Sequence, residues 1–243
     1  MNLKAIEQRA SILAKNNGNI LDCIDKNTDL IFSSSATVYG DSSEQPLTEK
    51  SRIQATSVYG ETKIASEKLI KEASTSKGIK AISLRYFNPV GAHKDFVISE
   101  DFLNKPNNLM PKLIESAKKN INSIDIYGND YATRDGTGER DYIHIQDLVE
   151  GHLKAIEKLK VIENIEFYNL GTGNPISVIE LIDTFNRVNK LNIKKNFVAR
   201  RKGDVEVCYA DPSKAMHELE WKAKYNVAEM CRDAWVAVNY ELR

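Results

Sequence analysis

Short apolar runs alternate with longer stretches of helical period along this chain. Leu30-Ile31-Phe32 is a compact apolar run that opens into Ser33-Ser34-Ser35, and it predicts a buried strand entering a polar turn. Ile79 to Phe87 is rich in β-formers and stops at Asn88-Pro89, a natural break. Further strands are predicted at 124–127, 142–145, 165–170, 193–199 and 205–209. Helical spacing marks 4–24 (weakened near Asn16-Asn17-Gly18), 57–76 with Ile64, Leu69 and Ile70 inward, 146–160 and 227–240. Leu109 to Asn120 predicts a helix with Pro111 in its first turn, and Asp211-Pro212 predicts a helix start. Ser177 followed by Glu180 reads as a capping box opening a helix to Val188. Polar stretches at 41–56, 89–107 and 128–140 read as loops. Strand–helix alternation of this kind predicts an α/β chain with a parallel sheet and a smaller second lobe.

Composition narrows the picture. Thirty-four basic residues balance thirty-four acidic ones, which gives no bulk attraction to nucleic acid or to a membrane surface. No apolar run is long enough to span a membrane, and Met1 to Ala10 lacks the apolar core of a signal peptide. Cys23, Cys208 and Cys231 are widely spaced and form no C-x-x-C, so neither a disulfide framework nor a metal site is expected. Reduced thiols in a cytoplasmic protein are the plain expectation.

The candidate chemistry sits in Tyr59-Gly60-Glu61-Thr62-Lys63. Positions i and i+4 of a helix share a face, so the Tyr59 phenol and Lys63 ammonium point the same way. An ammonium beside a phenol favours the phenolate and so predicts a lowered tyrosine pKa, useful for a base. Ser35 follows the predicted strand at 30–32 and could complete the set.

Six stretches, in order, extend this pair. They are IFSSSATVYGD (31–41), LRYFNPVGAH (84–93), PNNLMP (106–111), IYGNDYATRDGTGERDYIHIQDL (126–148), FYNLGTG (167–173) and ARRKGDVEVCYADPSKA (199–215). With the Tyr-Lys pair they resemble the UDP-glucose 4-epimerase family of extended short-chain dehydrogenases/reductases. The resemblance implies an incomplete Rossmann-type sheet over residues 1–88 and a UDP-sugar-binding lobe over 89–243, with 141–170 returning to the first sheet. It implies NAD as cofactor and a UDP-hexose as substrate, with UDP-glucose and UDP-galactose interconverted through a 4-keto intermediate. Tyr59 matches the base, Lys63 the residue that holds the nicotinamide ribose, Ser35 the serine on the 4-hydroxyl, and Phe87 a cofactor-pocket residue. Asn88, Asn108 and Leu109 match residues holding the UDP-sugar; Asp125, Ile126 and Tyr127 match the strand framing uracil. Arg140 and Arg201 match the pyrophosphate cations and Asp204 an acceptor for the uridine ribose. Cys208 falls where a small residue leaves room for an N-acetyl group, which implies UDP-GlcNAc and UDP-GalNAc as further substrates. A homodimer through the helices at 4–24 and 57–76 is also implied.

The resemblance has departures. No glycine-rich dinucleotide loop in strand–helix context occurs, and Gly171-Thr172-Gly173 matches a later loop of the family. Relative to the family, roughly ninety residues of the first nucleotide-binding half are missing. A non-catalytic UDP-sugar-binding module is therefore the rival expectation. A nucleotide-sugar dehydratase is a third, but dehydratases carry an acidic pair where this chain has Ala36-Thr37.

Overall fold

The computed structural model describes residues 18–93, 95, 108–119, 121 and 123–240. The expected helix at 4–24 lies largely outside these; its described part, α1, covers 18–23. The chain continues through β1 (Asp29–Ser35), a short 3₁₀ turn (Ala36–Val38), α2 (Val58–Lys77), β2 (Lys80–Tyr86) and β3 (Asn88–Val90). It then runs through α3 (Leu109–Lys118), β4 (Ser123–Tyr127), β5 (Glu139–His144), α4 (Ile145–Leu159), β6 (Ile165–Leu170) and β7 (Pro175–Ser177). It closes with α5 (Val178–Asn189), β8 (Lys194–Val198), β9 (Val207–Cys208), α6 (Ser213–Glu218) and α7 (Val227–Tyr240).

The chain divides into two units. The first comprises 1–87, 150–171 and 210–222; the second comprises 88–149, 172–209 and 223–243. The return to the first unit thus falls at 150–171 and 210–222, where the sequence placed it at 141–170.

In the first unit β1, β2 and β6 form a parallel sheet, in register from Asp29↔Lys80 to Ser35↔Tyr86 and from Ala81↔Ile165 to Tyr86↔Leu170. α2 begins because the Ser57 hydroxyl accepts from the Gly60 amide at 3.1 Å, and ends where Gly78 takes a left-handed φ of 70°. Its buried face is Gly60, Ser66, Glu67, Ile70, Ala73 and Ser74. Ile64 and Leu69, expected inward, are only half-buried. The polar face exists because Glu67 is needed inside. Its carboxylate accepts from Arg85 Nε and Nη2 at 3.0 and 2.7 Å, from Ser34 at 2.7 Å and from Ser83 at 3.0 Å. Arg85 also donates to the Tyr39 hydroxyl at 3.0 Å, which donates to Asn169 at 2.6 Å. Every charged group is paired, which is the condition for burying them.

The second unit holds a mixed sheet in which β5 pairs β3 and β9 in parallel and β7 antiparallel, and a separate parallel pair, β4–β8. β5 therefore pairs β3 at Tyr142↔Asn88, not the first sheet. Leu113, Ile114, Ile126, Leu181, Ile182, Phe185, Met230 and Val238 build its core. Ser177 caps α5 through the Glu180 amide at 3.0 Å. The predicted box is not reciprocal: the Glu180 carboxylate pairs with Arg134 instead. At α6 the cap position is Pro212, and Asp211 turns the chain by accepting from the Ser213 amide. Among the described residues no helix is long and apolar enough to cross a membrane.

Candidate active and nucleotide-binding sites

In the first unit, the end of β1 and the head of α2 bring Ser35, Tyr59 and Lys63 together. Gly60 makes this approach possible, since a Cβ there would lie 2.7 Å from the Thr37 carbonyl oxygen and 2.7 Å from the Ala55 Cβ. The Ser35 hydroxyl accepts from the Thr37 amide at 3.2 Å and from the Thr37 hydroxyl at 3.0 Å. It also hydrogen-bonds the Tyr59 phenol. Tyr59 is 54% exposed as a residue.

The Lys63 ammonium donates to the Ser33 carbonyl at 2.7 Å and lies 5.3 Å from the Tyr59 ring centroid and 5.0 Å from that of Phe32. The Tyr59 pKa is raised, not lowered as its spacing from Lys63 predicts. Burial pushes the phenol up, and the Ser35 hydrogen bond pulls against it. Burial also lowers the Lys63 pKa. Tyr86, one strand over, donates to the Ser33 hydroxyl at 2.7 Å. Phe87 is buried, its amide donating to the Leu170 carbonyl.

The second unit contains a cavity of about 180 Å³. Asn88, Asn108, Leu109, Asp125, Ile126, Tyr127, Arg140, Arg201 and Asp204 all line it. Cys208 does not line it; it sits on β9 opposite Arg140, half-buried, with burial pushing its thiol up to about 11. β4 alternates, so Asp125 and Tyr127 face outward while Ile126 enters the core. The Asp125 carboxylate accepts from Asn196 at 2.7 Å. Asn108 is the N-cap of α3 but makes no side-chain cap bond.

Arg201 is held by both oxygens of Asp204, through Nε at 3.1 Å and Nη2 at 2.7 Å, and this pairing raises its pKa. Arg140 donates to the carbonyls of Glu139 and Glu206. Asp141 accepts from the Thr172 and Gly173 amides at 2.8 and 2.9 Å, so this glycine-bearing loop holds a carboxylate of its own chain.

Lys112, Tyr131 and Tyr142 also line the cavity and escaped the sequence reading. The available signal for Lys112 was its place four residues after Asn108, on the same helical face. Tyr131 packs under the Arg200 guanidinium, 4.0 Å from its ring centroid, and beside Gly128, whose φ of 87° and contact with the ring both suit glycine. Among the described residues no group of His, Cys, Asp and Glu could hold a metal ion.

The family model described as GDP-mannose 4,6 dehydratase matches residues 12–234. The chain is 45% identical over 207 residues to the UDP-glucose 4-epimerase of Bacillus subtilis, covering 85% of this chain and 61% of that protein. It also resembles the solved UDP-glucose 4-epimerase of Stenotrophomonas maltophila with bound NAD and formylated UDP-arabinopyranose. There the TM-score is 0.85 at 41% identity, covering 89% of this chain and 65% of the other. The Bifidobacterium longum UDP-glucose 4-epimerase in complex with NAD+ and UDP gives a TM-score of 0.82 at 38% identity, covering 88% and 64%. The chain spans about three-fifths of the length of the curated relatives it matches.

Proposed function

We propose, for a chain that belongs to the GDP-mannose 4,6 dehydratase family, that it acts on UDP-hexoses as a UDP-glucose 4-epimerase does. In this reading the cavity of the second unit takes the UDP group, and Ser35, Tyr59 and Lys63 are the reacting side chains. The observation that carries it is the cavity in which nine separately matched residues, from Asn88 to Asp204, meet.

NAD is the cofactor of this reading. The residues fit its nicotinamide end: a half-exposed phenol and an ammonium stand at the C-terminal end of a parallel strand, where open α/β sheets take their ligands. When bound, NAD would supply the acceptor and donor of a hydride at C4 of the hexose. Lys63 would hold the nicotinamide ribose and Phe87 would back its pocket. Tyr59, in the minor ionised form that its raised pKa leaves, would take the proton of the 4-hydroxyl, and Ser35 would hold that oxygen by hydrogen bond. The ketone formed at C4 keeps its oxygen on Ser35. Inversion requires the ketone to turn so that hydride would return to its opposite face; Tyr59 would then give its proton to the resulting C4 alkoxide.

UDP-glucose and UDP-galactose are the proposed pair, in a cytoplasmic homodimer that uses α2. Ala36 and Thr37 stand where a dehydratase needs an acidic pair, which supports the epimerase chemistry over that alternative. The test is chromatography of UDP-glucose incubated with the chain and NAD. Formation of UDP-galactose, lost in Tyr59→Phe, supports the reading. UDP binding without NAD binding or turnover would favour the second reading, a UDP-sugar-binding module.

A further inference from the structure

Tyr86 ends β2 opposite Ser35, and its hydroxyl is held from two sides. It donates to the Ser33 hydroxyl at 2.7 Å and meets His152 Nε2 at 2.5 Å. Because the Tyr86 proton goes to Ser33, the phenol oxygen accepts from His152, and that ring carries a hydrogen on Nε2. His152 comes from α4, which lies close over β6 at Gly151, where a Cβ would sit 2.8 Å from the Leu170 side chain. Leu170 is the register partner of Tyr86, and His152, next to Gly151, reaches Tyr86 itself. The two rings are tilted by 55° with centroids 5.4 Å apart.

Ser33 is where this line meets the reacting side chains. Its carbonyl accepts from the Lys63 ammonium at 2.7 Å. Among the described residues β1 pairs only with β2, so no ladder steadies its other side. Ser33 is exposed there, and its hydroxyl is tied to Tyr86. We infer that His152 is a positioning residue: it fixes the Tyr86 hydroxyl, which steadies Ser33, whose carbonyl sets where the Lys63 ammonium stands beside Tyr59. The line holds geometry and transfers no proton. This rests on the reading of Ser35, Tyr59 and Lys63 as the reacting set.

The test is acetylation of the full chain by acetic anhydride at fixed pH, with the rate at each lysine read by mass spectrometry of its peptides. An ammonium held on a carbonyl must leave it before the amine reacts, so the Lys63 rate reports this contact. Lys68 and Lys71, exposed on the same helix, are the internal standards. His152→Leu should raise the Lys63 rate about five-fold, the scale of one lost hydrogen bond, and leave the standards unchanged. Tyr86→Phe should do the same, and the double variant should do no more than either. His152→Gln keeps an N–H at the place of Nε2 and should stay within about two-fold of the wild type. An unchanged Lys63 rate in His152→Leu would overturn the inference, as would a rise shared by Lys68 and Lys71, the mark of general loosening. Equal rises in His152→Gln and His152→Leu would overturn it too, because ring shape and not the hydrogen bond would then be at work. The labelling needs neither NAD nor a UDP-sugar. A separate titration in which the wild-type chain binds no NAD would overturn the reading of Lys63 on which the role of His152 rests.

Discussion

Arg85 grips Glu67 with one edge of its guanidinium, Nε to Oε1 at 3.0 Å and Nη2 to Oε2 at 2.7 Å, and both side chains are buried. Glu67 lies one turn past Lys63 and two past Tyr59 on α2. The pair therefore fixes how α2 is rolled against β1 and β2. A buried ion pair is weak evidence of net stability, but breaking one strands a charge. Glu67→Gln should lower unfolding free energy by about 3–5 kcal/mol. The double change Glu67→Leu with Arg85→Met should recover much of that loss, because it removes both charges. Urea unfolding of the two variants measures this, and a Glu67→Gln loss below about 1 kcal/mol would disprove the account.

Ser35 opposes the effect of burial on Tyr59. Ser35→Ala removes the hydrogen bond that favours the phenolate and leaves desolvation unopposed. The Tyr59 pKa should rise further, so the fraction present as base at any given pH falls. Tyrosinate absorbance, with Tyr59→Phe subtracted to isolate this ring, reads the shift directly. A downward shift in Ser35→Ala would count against the role given to Ser35.

Tyr142 is buried, and its phenol is pushed up to about 12 by desolvation. The unfolded phenol ionises near 10, so above that pH the unfolded state loses protons before the folded state does. The stability this group contributes is complete below pH 10 and is lost as pH rises through the interval from about 10 to 12. The loss attributable to it should reach about 2 kcal/mol. Tyr142→Phe should therefore flatten part of the alkaline fall in stability, measured as unfolding midpoint against pH. An identical slope in the variant would show that the fall comes from other groups.

What could be read in the sequence followed from local pattern. Helical spacing placed α2 within a residue at either end, and apolar runs placed the strands at 165–170 and 123–127 within a residue. β1 reaches from Asp29 to Ser35, beyond its apolar run, because its polar ends are carried by ladder bonds to β2 that leave no mark on hydropathy. β3 and β7 are three residues long and contain Pro89 and Pro175, so neither period nor propensity reveals them. The Glu67–Arg85 pair escaped because nothing in a helix pattern says that a glutamate on it meets an arginine 18 residues on. The cavity residues span β3 to the segment before β9; their grouping came from likeness to a family, not from any period in the chain.

Cys208 carries the finest of the proposals, the width of the sugar site. Its thiol is held neutral by burial, so it acts as a small, chemically quiet residue on β9 beside Arg140. Cys208 does not line the cavity of the second unit, so the proposal rests on likeness to the family: a small side chain at this position would leave space for the N-acetyl group at C2 of a UDP-hexosamine, and an aromatic ring would fill it. Cys208→Tyr should leave interconversion of UDP-glucose and UDP-galactose within about three-fold, while interconversion of UDP-GlcNAc and UDP-GalNAc falls by roughly a hundred-fold or more, the scale of a steric specificity switch. Both rates are read by separating the epimers chromatographically after fixed incubation. Equal loss of both activities would mean that the ring disturbs β9 and Arg140 generally, and the size argument would then fail.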